Sequence, residues 1–303
     1  MLLFWKILKR AATEFISDNG VKLSASLSYY TIFSIGPFLI TIISLAGIFY
    51  GKEAVQGKIF SEINNVVGNV AAKQIQEIIQ NIEKSQLSTS GAVIGIIVLL
   101  IGATGVFTEI QDSINYIWSI RAKPKKGWLR ILINRLISFS LIISIGFLLL
   151  VSLTINALVE LLHDQLMVNF PDVTVYVFQG ANYLVLLAVI TGLFTIIFRV
   201  LPDARISWKD AVIGSLFTAV LFLIGKFLIG LYLAQSNIGI TYGAAASIVL
   251  ILLWVYYTSI ILYFGAEFTK VLALTKGSGI QPDEAAVFIV KQEARELNYE
   301  SIQ

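Results

Sequence analysis

Apolar residues along this chain come in long unbroken runs, and the charged residues gather between them. Windows free of Asp, Glu, Lys and Arg cover residues 23–51, 85–108, 136–159, 173–198, 211–225 and 227–266. About 20 apolar residues carry a helix across roughly 30 Å of hydrocarbon. The first four windows meet that length outright, and the last two, parted only by Lys226, leave room for two more spans. The runs lack the alternation of lipid-facing and lumen-facing residues that marks a barrel. Only helices and closed barrels satisfy their backbone in lipid. The pattern therefore predicts an all-α polytopic membrane protein with six transmembrane helices, over approximately residues 26–50, 88–108, 133–158, 176–198, 211–233 and 244–264.

Amphipathic pieces flank these spans. Residues 2–16 set Leu3, Trp5, Ile7 and Leu8 beside basic residues, which suits an N-terminal interfacial helix on anionic headgroups. No long apolar core with a small-residue cleavage site follows it, so it reads as retained and not as a cleaved signal. The first outward loop, 51–87, carries Ile59, Ile63, Val66, Val67 and Val70, then Ile75, Ile78, Ile79 and Ile82. That is helical spacing, and it predicts two short amphipathic helices broken near Gly68–Asn69. A lid over the outer face and a pair of helices lying on the membrane surface both fit. The expected domains are a helical membrane domain, residues 1–275, and a partly ordered cytoplasmic tail, residues 276–303.

Composition agrees: 57% of residues are hydrophobic and 14% charged, where a soluble domain carries about 25% charged residues. The placement of Lys and Arg sets orientation. Four lie before the first span (Lys6, Lys9, Arg10, Lys22) and six between the second and third, from Arg121 to Arg135. Arg199, Arg205 and Lys209 lie between the fourth and fifth spans, and Lys270, Lys276, Lys291 and Arg295 after the sixth. The opposite side has only Lys52, Lys58, Lys73 and Lys84. Both termini are expected in the cytoplasm, and Trp5, Trp118, Trp128 and Trp208 fall in the same flanks as an interfacial belt would.

The chemistry available is narrow. There is no cysteine and one histidine, His163, so a disulfide framework, a thiol nucleophile and a multi-histidine metal centre are excluded. The first span is rich in hydroxyls, including Ser28, Tyr29 and Ser34, and is interrupted by Pro37, which removes a helical hydrogen bond and kinks the rod. A polar cavity and close helix packing both use such residues. Lys226 is an ionisable group inside a span, where a functional partner competes with snorkelling to the interface. Tyr232, Tyr242 and Gly243 bracket the uncharged junction between the last two spans. Glu109, Asp112 and Asn115, with Trp118 beyond, follow the second span at near-helical spacing and suit an interfacial polar network.

Taken in order, several elements resemble the YihY/virulence factor BrkB family. They are the Ala25–Pro37 stretch, Asn115–Tyr116–Ile117–Trp118, Pro202 with Trp208 and Gly214, and Lys226–Phe227 with Tyr232. Tyr242–Gly243–Ala244, Leu253–Trp254–Val255–Tyr256 and Gly265–Ala266–Glu267 complete the set, which spans roughly residues 10–270. The resemblance implies a bacterial inner-membrane protein with six spans. Members of the family have been linked to virulence or serum resistance, and one branch genetically to export of lipid A precursors. The family's old label, ribonuclease BN, finds no support here, because metal-dependent nucleases need clustered His or carboxylate ligands.

The expected function is a transporter or flippase-like protein for a lipid or anionic amphipathic substrate in envelope biogenesis. Lys226, Ser28, Tyr29, Ser34, Pro37, Tyr232 and Tyr242 are its candidate substrate-binding residues. Asn115, Trp118, Gly243, Trp254 and Glu267 are expected in structural or interfacial roles. The alternative is a non-transporting scaffold or assembly factor for an envelope complex. No nucleophile, base and electrophile converge in the sequence, so no enzyme, cofactor, metal or nucleic-acid partner is expected. The expected partners are membrane lipids, with a second copy or an envelope protein beside them.

Overall fold

The fold is that of a computed structural model, described here for residues 2–34, 105–123, 171–235, 246–284 and 286–291 and for positions 64, 69, 72, 73, 76, 77, 80 and 242. These residues are mostly helical: α1 (Leu2–Ser17), α2 (residues 20–34), α3 (residues 105–117), α4 (Pro171–Val200), α5 (Trp208–Gln235) and α6 (Ala246–Lys276). Three of them contain segments long and apolar enough to cross a membrane: Tyr183–Val200, Trp208–Tyr232 and Ile248–Lys276. They coincide with the fourth, fifth and sixth spans read from the sequence. The third of the expected spans lies outside the described residues, as do most of the first and second, most of loop 51–87, Pro37 and Gly243. With 31 residues, α6 is about 46 Å long. It is longer than the hydrocarbon thickness of about 30 Å.

The N-terminal amphipathic helix finds its partner in protein. Ile7, Ala11 and Phe15 recur every four residues and are buried. Ile7 and Ala11 pack with Phe268, Val271 and Leu272 of α6, and Phe15 meets Phe264 edge-on at 5.8 Å. Leu2, Phe4 and Trp5 stay exposed, leaving an apolar edge for the interface that the sequence pattern anticipated. The chain then reverses at Asn19, whose φ of 55° lies in the left-handed region that Asn tolerates better than most residues.

Helices α5 and α6 approach through reciprocal Gly-x-x-x-Thr motifs. A side chain at Gly214 would overlap Thr269, and one at Gly265 would overlap Thr218. Each threonine hydroxyl donates to the glycine carbonyl four residues back on its own helix, Thr218 to Gly214 and Thr269 to Gly265. The two hydroxyls are thereby satisfied, and the contact is made of small surfaces. Phe217 and Phe268 stack at 3.8 Å beside this crossing.

Past the end of α6 the chain returns across the connections between other helices, in short strands that the sequence pattern did not anticipate. β1 (Ile120–Ala122) pairs antiparallel with β4 (Ala286–Phe288), and β2 (Ala204–Arg205) with β3 (Gln281–Pro282). Strands of two or three residues are too short to carry a readable alternation. Through them the segment that follows α6 is strapped to the α3 exit and to the α4–α5 connection. Among the described residues the largest apolar cluster lies at this same end. It includes Phe15, Ile114, Ile117, Trp118, Phe198, Leu201, Tyr263 and Ile280.

Candidate functional site

Four elements converge on one ammonium group at the strapped end. Lys270 lies six residues before the end of α6 and is buried. Its Nζ is 2.7 Å from Glu14, 3.6 Å from Asp18 and 2.5 Å from Glu267, and it also donates to the carbonyl of Ile117 at 2.9 Å. Glu14 comes from α1, Asp18 from the α1–α2 turn, and the carbonyl from the last turn of α3. A second cation arrives three residues beyond β4, where Lys291 bonds Asp18 at 2.5 Å and lies 4.4 Å above the Tyr116 ring. Arg10 closes the outer edge by bonding Glu14 at 2.6 Å.

Helix geometry explains why these groups meet. Glu14 and Asp18 are four residues apart on one face, where like charges repel, unless a cation sits between them. Lys270 supplies it. Glu267 lies one turn before Lys270 and has no solvent exposure. One carboxylate oxygen bonds Lys270, and the other has no hydrogen-bond partner among the described residues. Three acids (Glu14, Asp18, Glu267) thus meet three cations (Arg10, Lys270, Lys291), with Lys270, Glu267 and Asp18 buried and Arg10 largely exposed at the outer edge. Burial disfavours the charged form of Glu14. Hydrogen bonds from Lys270 and Arg10 outweigh that penalty and hold its carboxyl at about 2, below the ordinary 4.5.

Around this knot the neighbouring joints are also polar and specific. Asn115 donates through Nδ2 to Asp203 at 2.8 Å, and its Oδ1 accepts from the Asp203 backbone N–H at 2.9 Å. The Trp118 indole N–H donates to the Ala266 carbonyl at 3.0 Å. Ser207 accepts from the Asp210 backbone N–H and donates to the Asp210 carboxylate, a reciprocal cap at the start of α5. Arg205 bonds Asp283 at 2.7 Å on the strap, and that carboxylate raises the affinity of the guanidinium for its proton.

The residues expected to bind substrate divide into two groups. On α2, Ser24, Ser28 and Ser34 are 0%, 3% and 4% exposed, while Tyr29 and Phe33 are 60% and 63% exposed. Hydroxyls thus face inward and aromatic rings outward. Each of these serines donates to a carbonyl of its own helix. Tyr29 packs edge-on against Phe33 at 5.0 Å on the outer side, and Tyr232 and Tyr242 are exposed as well. Lys226 is half-buried in α5 and has an interaction partner in the protein. Trp254 packs on Phe222 at 6.2 Å. Glu267, expected near the inner end of the last span in an interfacial role, is a member of the buried charge cluster. Among the described residues no group of three or more His, Cys, Asp or Glu is arranged to hold a metal ion. In the cluster the acids converge on an ammonium.

Sequence reasoning had counted Arg10 and Lys270 only as orientation signals. The spacing of Glu14 to Asp18, and of Glu267 to Lys270, was the available sign that those charges share faces.

The model of the family described as Virulence factor BrkB matches residues 11–287, nearly the whole chain. The chain belongs to the BrkB family. It is 30% identical over 268 residues to a UPF0761 membrane protein of Pseudomonas paraeruginosa, covering 84% of this chain and 60% of that protein. It is 30% identical over 272 residues to another of Azotobacter vinelandii, covering 87% and 62%. A third, from Psychrobacter, is 27% identical over 286 residues, covering 92% and 50%. The chain therefore spans about half to two thirds of the length of the curated relatives it matches. No solved structure matches it. The BrkB match and the apolar helices together make this a membrane protein, with the buried charge cluster and the inward serines as its distinctive interior features.

Proposed function

We propose that this BrkB-family protein is a six-span inner-membrane transporter or flippase-like protein, with both termini cytoplasmic, that moves a lipid or anionic amphipathic substrate. The observation that carries the reading is the inversion of α2. This helix turns Ser24, Ser28 and Ser34 inward and Tyr29 and Phe33 outward, so that hydroxyl groups stand on its interior side. Lined this way, the interior offers hydroxyl oxygens to a headgroup that a purely apolar bundle would reject. Lys226 supplies the charge that selects an anion, and membrane lipids supply the substrate pool. The buried Lys270 cluster fixes α1, α3 and α6 to one another, giving a rigid inner end against which the remaining helices move. The reading assigns the protein no bond-making chemistry, cofactor or nucleic-acid role.

The test is Lys226→Met in reconstituted vesicles. Loss of anionic-lipid movement with normal insertion supports the reading, and undiminished movement removes Lys226 from the mechanism.

One observation favours the scaffold alternative. Val287, Phe288 and Val290 are exposed on the strap, where an envelope partner would find an apolar foothold. A scaffold leaves lipid movement at the rate of protein-free vesicles.

A further inference from the structure

An apolar groove of about 640 Å³ runs along the outside of the α4–α5 pair. Its α4 wall is Leu184, Leu187, Ala188, Thr191, Thr195 and Ile196, and its α5 wall is Trp208, Val212 and Leu216. Gly192 and Ala188 bring little or no side chain, which keeps it open. The hydroxyls of its two threonines are turned to their own helix: Thr191 donates to the Leu187 carbonyl and Thr195 to the Thr191 carbonyl, both at 2.7 Å. The surface that remains is mostly hydrocarbon, with the Trp208 indole at one end. From Leu184 to Ile196 it is about 18 Å long at the helical rise, close to one leaflet of a bilayer whose core is about 30 Å thick.

The groove ends at a cation. Arg199 continues the same face of α4, one turn beyond Thr195, and its guanidinium lies 5.5 Å above the ring of Trp208, which itself lines the groove. Its Nε is buried and has no hydrogen-bond acceptor among the described residues. Arg205, the next arginine along the chain, is by contrast held by Asp283. A tryptophan at the groove mouth suits the headgroup level of a membrane, where aromatic rings with a polar edge collect. A guanidinium is suited to a phosphate, which it meets with paired donors.

We infer that this groove is a binding site for one anionic glycerophospholipid, an acyl chain lying between α4 and α5 and the phosphate on Arg199 above Trp208. The inference rests on the chain being a membrane protein and is independent of transport. The lipid is a resident, held on the outer wall of the bundle.

The test is native mass spectrometry of the full-length protein released from detergent, with dioleoylphosphatidylglycerol as the added probe. The expected result is one retained phospholipid per chain. Arg199→Gln should weaken retention about tenfold or more, as loss of a charge-assisted hydrogen bond does, and Arg199→Lys should restore part of it. Ala188→Trp fills the groove without touching the cation and should also expel the lipid. Thermal melting of each variant, measured in lipid-free detergent, separates loss of the site from loss of the fold. Three outcomes overturn the inference. They are equal retention of dioleoylglycerol, which lacks the phosphate; competition by inorganic phosphate with no effect of Ala188→Trp; and a lipid-free dimer sealed across the groove. Lipid retention lost in Arg199→Gln with vesicle transport intact would leave the site standing and separate it from the transport reading.

Discussion

Replacing Lys270 by Met tests whether the strapped end is held by its buried charges. The substitution keeps most of the apolar stem and removes only the ammonium. Glu267, with no solvent exposure, then loses the hydrogen bond from Lys270, and Glu14 and Asp18 lose the cation between them. The Ile117 carbonyl also loses its 2.9 Å donor. An exposed ion pair is worth about 0–1 kcal/mol, but breaking a buried pair from one side costs about 3–5 kcal/mol because a charge is left uncompensated. The larger figure applies here, and it corresponds to a fall of roughly 10 °C in melting temperature at about 2–4 °C per kcal/mol. Unfolding of the purified protein in detergent, followed by tryptophan fluorescence, measures it. Adding Glu267→Gln to Lys270→Met should recover part of the loss, because the stranded charge goes with it. The reasoning is refuted if Lys270→Met melts within 1–2 °C of the wild type, or if the two losses simply add.

Other outcomes follow from the same geometry. The Glu14 carboxyl sits at about 2 in the folded protein against 4.5 when unperturbed. Its contribution is therefore complete above pH 4.5 and is lost as pH falls toward 2, a span worth ~1–2 kcal/mol once solvent screening is allowed for. Melting curves of wild type and Glu14→Gln should converge across that window. Gly265→Val drives a side chain into Thr218 and should cost about 1–3 kcal/mol by overpacking, with partial recovery in Gly265→Val/Thr218→Ala. Asn115→Leu strands the Asp203 carboxylate and N–H and should destabilise by about 1–3 kcal/mol. Both are read by the same melting assay.

Much of the helical layout was legible because hydrocarbon imposes a length and a composition that a sequence cannot disguise. The expected fourth, fifth and sixth spans fall on helices long and apolar enough to cross, with α4, α5 and α6 each extending beyond the boundaries drawn from charge-free windows. The N-terminal helix was readable from its amphipathic face, although its partner, α6, was not. What sequence reading missed were relationships between distant segments. Lys270 and Asp18 are separated by most of the chain, and nothing in the local pattern says that one neutralises the other. The Gly214–Thr218 and Gly265–Thr269 motifs lay within elements that carried the family resemblance, yet their reciprocity appears only once the helices cross. The strap over the α3 exit was invisible for a different reason: strands of two or three residues take their order from pairing, not from their own periodicity.

The central claim is that an inward hydroxyl face serves passage of an amphipathic anion, and the direct measurement is lipid movement in vesicles carrying the purified wild-type chain. A fluorescent anionic phospholipid in the inner leaflet is quenched from outside by dithionite only after it crosses. The account predicts crossing faster than in protein-free vesicles and slowed by Ser28→Leu/Ser34→Leu in a protein that still inserts and melts normally. Correctly inserted wild-type protein that leaves the crossing rate at the protein-free value contradicts it.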